Sequence, residues 1–296
     1  MTLHSDHSEV TIQTLWQLYK ARHLNLSPAF QRQSVWSRRD REQLVLSVLA
    51  GLPLPTIYLY RNSGHGGSNR YDVIDGKQRI ETLLYFMGKG PLAPVEDDLL
   101  WIRTSFDDDE PIEWWAWKHL SSASKNRFLG TRLHTIEVDG ELSEIIELFV
   151  RINSTGMRLT SAERRHARFL TEPALKAAQG LADEKAGWLK KHRVVSEAAT
   201  RRSKHVELMC ELLLSVHAGA PLNKKAKIDE LISGGGVDQR DIKEAVAGVR
   251  RALKLIDTIV PDLADTRFSK LADFYTLTLL LHRLRADGLA VSAHNS

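Results

Sequence analysis

Residues 70–90, RYDVIDGKQRIETLLYFMGKG, pass within one short stretch from apolar alternation to a helical period. Upstream, Ser37 and Asp40 stand three apart at the head of RRDREQLVLSVLAGLPLP, a capping-box-like start. Leu44, Val45, Val48 and Leu49 make one apolar face of that helix, and Gly51 and Pro53 stop it. PTIYLYR then reads as a strand, NSGHGGSN as a glycine-rich turn and RYDVID as a second strand. The helix that follows puts Ile80, Leu83, Leu84 and Met87 on one side and ends at Gly88. A helix–strand–turn–strand–helix unit commits this half of the chain to a mixed α/β arrangement.

The flanking segments extend the pattern. Ile12, Leu15, Trp16 and Tyr19 have helical spacing, RLHTIEV reads as a strand, and DGELSEIIELFVRIN as a helix with Leu142, Ile145, Ile146 and Phe149 inward. The tryptophan-rich stretch holding Trp101, Trp114, Trp115 and Trp117 reads as an insertion with a short hairpin. Thr160 and Glu163 form a second capping-box pair. From there every recognisable element is helical. A boundary near residue 157 therefore separates a mixed α/β domain, 1–157, from an α-helical domain, 158–296. The polar ends, MTLHSDHSEV and SAHNS, are expected to fray.

The single cysteine, Cys210, excludes an internal disulfide, and no apolar run approaches a membrane span. With no signal-peptide pattern at the start, the expected location is the cytoplasm. The formal charge is only +4, but twelve Lys or Arg face five acids between Arg158 and His205, a local excess of seven. Such a run is either a solvated helical surface or the footprint of a polyanion partner. The DNA-contact candidates are Arg164, Arg165, Arg168, Lys190, Lys191, Arg193, Arg201 and Arg202.

Three stretches offer chemistry. In DGKQR, Asp75 sits where a strand gives way to a helix and could cap the amide of Gln78, with Gln78 reaching back. Gly76 permits close backbone approach, the helix start offers free N–H groups, and Lys77 and Arg79 add charge. The stretch is either a capped helix with two exposed cations or a seat for phosphate. In FQRQSVW, Gln31 and Arg32 could meet base or phosphate, or Phe30 and Trp36 could simply be core anchors. In FVRINSTGMRL, Asn153, Ser154 and Gly156 form either a polar turn facing a ligand or a helix stop. No zinc spacing, phosphate-loop motif or nucleophile elbow occurs, and the DDDE run at 107–110 reads as an exposed acidic loop before a metal site.

Taken in order, FQRQSVW, LVLSVLAGLPLPTIYL, IDGKQR and FVRINSTGMRLT resemble the N-terminal domain family of GmrSD-type restriction enzymes, also found in SspE-type defence proteins. The resemblance spans about residues 10–215 and implies an α+β fold, ParB/sulfiredoxin-like at first and helical afterwards. It implies a nucleoside triphosphate site, with Mg²⁺ allowed beside it, and hydrolysis coupled to sensing or cutting modified DNA. Carried over by position, Asp75, Gln78 and Arg79 are the catalytic candidates. Gln31, Arg32, Gly76, Lys77, Asn153, Ser154 and Gly156 are the nucleotide-binding ones. Lys77 stands where the family usually has glutamine. The nuclease half of larger relatives has no counterpart constellation here, so any cutting of DNA is expected from a separate nuclease or defence subunit, with oligomerisation allowed. Hydropathy and the motif search lead to the expectation of no membrane partner and no protein metal site. The alternative is an adaptor that binds DNA through the basic segment without turnover.

Overall fold

The computed structural model describes residues 3–31, 34–63, 69–92, 99–105, 112–153, 159–222, 225–233 and 237–289. The chain is α+β and divides into two compact units, Met1–Arg158 and Leu159–Ser296.

The first unit opens with β1 (His4–Thr11), α1 (Ile12–Lys20) and β2 (Leu24–Asn25), followed by α2 (Arg38–Leu49), β3 (Ile57–Ser63), β4 (Asn69–Asp75) and α3 (Lys77–Phe86). A hairpin of β5 (Ile102–Thr104) and β6 (Glu113–Trp115) precedes α4 (Ser122–Gly130), β7 (Arg132–Asp139) and α5 (Leu142–Ile152). Five strands form one mixed sheet in the order β1-β7-β3-β4-β2. β1–β7 and β3–β4 are antiparallel, whereas β3–β7 and β2–β4 are parallel.

The Ser37 capping box forms, with Asp40 Oδ2 accepting from the Ser37 amide at 2.8 Å. Its helix packs Leu44, Val45 and Val48 against Ile57 and Leu59 of β3 and Ile80, Leu83 and Leu84 of α3, all within one buried cluster. Phe86, Trp117 and Phe128 meet one another with ring centroids 5.4–5.8 Å apart, which anchors the tryptophan segment to this core. Trp114, by contrast, is 57% exposed.

Two expectations need correction. From His4 on, the N-terminal stretch does not fray: His4–Thr11 pair with β7 residue by residue and make a sheet edge. The polar composition suits that edge, because Arg61 of β3 donates to Glu137 of β7 at 2.7 Å and to Asp6 of β1 at 3.3 Å. Leu142 is 39% exposed rather than inward, since it opens α5 before the buried run of Ile145, Ile146 and Phe149 begins. The SAHNS end and the GHGGS turn lie outside the described residues.

The second unit is helical: α6 (Ser161–Arg168), α7 (Pro173–Lys191), α8 (Glu197–Arg201), α9 (Lys204–Ala218), α10 (Lys225–Ser233), α11 (Gln239–Ile259) and α12 (Leu271–Ala286). The Thr160–Glu163 capping box starts α6. α9 is buried on nearly every side and packs against α7, α11 and α12, so it forms the axis of this core. Cys210 lies in it, 1% exposed, and burial pushes its thiol up to about 12. Among the described residues no helix is long and apolar enough to cross a membrane.

Two histidines make this unit acid-sensitive. Burial lowers the His205 pKa below its usual 6.5; Asp183 opposes the shift and His166 adds to it. Burial likewise lowers His282, with Arg251 adding to the shift. A depressed folded pKa means the unfolded chain takes the proton first, so stability is full above about pH 6.5 and falls on acidification. For His205 the slope is up to about 1.4 kcal/mol per pH unit. Melting midpoints of the full chain between pH 7.5 and 5.0 should fall, and His205→Asn should flatten the decline; an unchanged slope in that variant would remove His205 from the account.

Candidate nucleotide site at the strand–helix junction

The junction of β4 and α3 is built around Gly76. Its φ is +97°, and it serves as the N-cap of α3 without any side-chain cap bond. The first helical bond runs from the Ile80 amide to the Gly76 carbonyl at 2.9 Å, so the turn before it presents its amides at the helix start. A Cβ at Gly76 would sit 2.9 Å from Ile57 Cγ1 and demand a left-handed backbone of an L-residue. Gly76→Ala should therefore cost about 1–3 kcal/mol of stability and distort the junction, read as a lower urea midpoint at constant m-value.

The expected cap is not the one formed. Because Gly76 takes that position itself, Asp75 is released from it and pairs with Arg79 one helical turn on, Nη2 to Oδ2 at 2.5 Å. Gln78 does not reach back either. Its Oε1 accepts three bonds from the preceding loop: Ser34 Oγ at 2.8 Å, Val35 N at 3.1 Å and Trp36 N at 3.1 Å. At the other end of that loop, Gln31 Nε2 donates to the carbonyls of Val73 and Ile74, the latter at 2.8 Å. Two amide side chains thus fasten the FQRQSVW segment across the end of β4 and the start of α3. Arg32, between those fastenings in sequence, lies outside the described residues.

The cations are turned inward. Arg79 is 8% exposed; its guanidinium donates to the Pro55 and Thr56 carbonyls as well as to Asp75. Burial lowers its pKa and the Asp75 charge opposes that shift. Rather than standing open to a ligand, Arg79 locks the entry to β3 and orients a carboxylate that is 30% exposed. Lys77 is 7% exposed, with Nζ 3.2 Å from Ser27 Oγ and 3.9 Å from Glu81 Oε1. Glu81 itself is 3% exposed, and burial raises its pKa against the pull of Lys77, Ser34 and Arg41. Arg41 Nη2 completes this layer by donating to Ser34 Oγ at 2.7 Å. Ser34, Arg41 and Glu81 were not singled out in the sequence. Their signal is the i,i+4 spacing of Glu81 from Lys77 and the capped helix that carries Arg41.

The third stretch approaches through packing. Phe30 lies against Phe149 of α5, ring centroids 5.4 Å apart, and α5 also packs on β4. Asn153 ends α5, with Nδ2 donating to the Phe149 carbonyl at 2.9 Å. Ser154 and Gly156 lie outside the described residues. The structure therefore fastens Gln31 to the last residues of β4 just ahead of 75–79 and sets Asn153 at the end of the helix packed on β4.

The basic segment is less free than its composition suggests. Arg165 is 4% exposed and pairs with Asp229 at 2.5 Å and Glu207 at 3.4 Å, so it is a core ion rather than a DNA contact. Lys190 and Arg201 share Glu197 at 3.0 and 2.7 Å, and Arg193 lies 3.5 Å from Asp265. Arg164 and Lys191 are exposed and Arg202 half-buried, and none of the three makes an ion pair among the described residues. Arg168 is exposed on the last turn of α6. Among the described residues no group of three His, Cys, Asp or Glu could hold a metal ion.

Comparison with known proteins bears on the same segment. No curated protein and no solved structure matches the chain. The model of the GmrSD restriction endonuclease N-terminal domain matches residues 15–170, just over half of the chain, and takes in the junction, the loop fastened over it and α5. This chain belongs to the GmrSD restriction endonuclease N-terminal domain family.

Proposed function

We propose that the first unit binds a nucleoside triphosphate at the β4–α3 junction and hydrolyses it. On this reading the chain serves a DNA-modification-dependent restriction or phage-defence system in the cytoplasm, where a separate nuclease cuts DNA. One observation carries it: α3 starts at a glycine without a side-chain cap while Gln78 and Gln31 fasten a polar loop over that start. An uncapped helix start favours anionic groups, and the loop gives it a wall. In this reading the amides of the first turn of α3 take phosphate, and Lys77, held inward by Ser27 and Glu81, adds its charge to the helix start without direct contact. Asp75, oriented by Arg79, positions water and is the acid that could meet Mg²⁺. The family resemblance adds Arg32, Asn153, Ser154 and Gly156 as further candidates for this site. Arg79 is here a positioning residue, and Gln78 holds the wall.

The test is the melting midpoint of the full chain with each nucleoside triphosphate, with and without Mg²⁺, beside phosphate release. A nucleotide at one hundred times its Kd adds about 2.7 kcal/mol of apparent stability. Gln78→Ala would orphan the Val35 and Trp36 amides, cost about 1–3 kcal/mol, and abolish the nucleotide-dependent shift. No shift and no phosphate release from wild type with any triphosphate would reject the reading.

A second reading, a DNA-binding adaptor without turnover, has Arg164, Lys191 and Arg202 in its favour. It requires DNA affinity that falls steeply with salt and drops when those three are changed together.

A further inference from the structure

The helices of the first unit repeat one way of stopping. After α1, α2 and α3 the chain makes the same pair of bonds. These are Arg22 N to Tyr19 O with His23 N to Leu18 O, Gly51 N to Val48 O with Leu52 N to Ser47 O, and Gly88 N to Tyr85 O with Lys89 N to Leu84 O. That pattern needs a left-handed residue after the cap, a position glycine fills without strain. α2 and α3 use Gly51 and Gly88, with φ of +71° and +70°. α1 uses Arg22, with φ of +60°. An L-residue there crowds its Cβ against the following carbonyl, so the arginine is kept at a cost that glycine would remove.

In the second unit α7 and α12 stop the same way, around Arg193 and Gly288. Arg193 has φ of +56°, but its guanidinium lies 3.5 Å from the Asp265 carboxylate. Arg22 makes no ion pair among the described residues, and neither does Lys20; both are exposed. Instead they line a cleft of about 410 Å³ with Tyr19, Leu24 and Asn25. Tyr19 is half-buried there, Leu24 is buried, and Asn25 Nδ2 is engaged by Asp72 Oδ1 at 2.6 Å. The lining thus combines two exposed cations with an aromatic ring and a buried leucine.

We propose that this cleft is a binding subsite for single-stranded nucleic acid, with Lys20 and Arg22 on the phosphodiester and Tyr19 against a base. Two unpaired cations beside an aromatic ring suit a strand whose phosphates and π-faces alternate. The planar guanidinium adds bidentate phosphate contact. Recognition of this kind carries little sequence preference. The subsite does not depend on nucleotide binding at the β4–α3 junction, which the melting shift with triphosphates reports separately.

The test uses the full chain and an oligothymidylate bearing 5-iodouracil. Photo-crosslinks should map to the peptide containing Tyr19, and anisotropy should show affinity falling with salt. Arg22→Gly keeps the backbone conformation and removes the cation. It should leave the melting midpoint unchanged or raised while weakening the oligonucleotide and lowering the salt slope by about one. Lys20→Gln should act likewise. Equal oligonucleotide affinity in Arg22→Gly and wild type would reduce Arg22 to a strained helix stop and overturn the proposal. So would crosslinks confined to residues 164–202, or no binding by wild type at low salt.

Discussion

Arg79→Ala should destabilise the first unit by about 3–5 kcal/mol, nearer the lower figure because the Asp75 end of the pair meets solvent. The substitution leaves the Pro55 and Thr56 carbonyls without their donor and Asp75 without its partner. Lysine should rescue little, since one ammonium cannot reproduce a fork that serves two carbonyls and a carboxylate at once. Urea unfolding followed by tryptophan fluorescence reads this unit well, because Trp188 is the one tryptophan of the seven beyond residue 158. An unshifted midpoint would show that the guanidinium anchors nothing. The result also governs how activity data are read. Lost phosphate release in Arg79→Ala together with a lower midpoint speaks for a collapsed junction; lost release at an intact midpoint would make Arg79 a phosphate ligand after all.

Arg165→Met should be as costly in the second unit, about 3–5 kcal/mol, for a related reason. Glu207 is 5% exposed and, among the described residues, would keep Lys204, at 2.5 Å, as its ionic partner, while Asp229 loses the guanidinium outright. Replacing Arg165 and Glu207 together by methionine should recover much of that loss, because a buried pair exchanged for apolar volume is often near neutral. Chemical denaturation of the two variants and wild type, with Trp188 as reporter, decides it. If Arg165→Met instead unfolds at the wild-type midpoint and binds DNA more weakly, Arg165 belongs to a nucleic-acid surface and the core assignment fails.

Both predictions turn on contacts that local spacing does not reveal. The capping boxes at Ser37 and Thr160 were legible because cap and partner are three residues apart and nothing else competes for them. Asp75 and Gln78 have the same spacing, yet a glycine in left-handed geometry moved the cap by one residue and freed both side chains for other partners. Those of Gln78 lie 42–44 residues upstream. The count of cations between Arg158 and His205 was sound as composition, but Arg165 is neutralised from 42 and 64 residues away. β1 has the composition of a tail because its residues are mostly polar; only pairing with β7, a strand that begins 121 residues after the end of β1, makes it a strand. Order and type of the elements between Ser37 and Gly88 were visible, since alternation and helical period change there at clear stops. The meeting of FQRQSVW with DGKQR came from the family resemblance; the hydrogen bonds that effect it belong to the folded chain alone.

The family match begins at residue 15, inside α1, whereas the sheet begins at His4. A fragment trimmed to the matched residues would lose β1 and leave β7 as a bare margin, its outward amides and carbonyls seeking another strand. The physical limit of the first unit therefore lies upstream of the boundary that sequence similarity draws, and a shortened version should be expected to clump through that margin before it ever displays weakened chemistry.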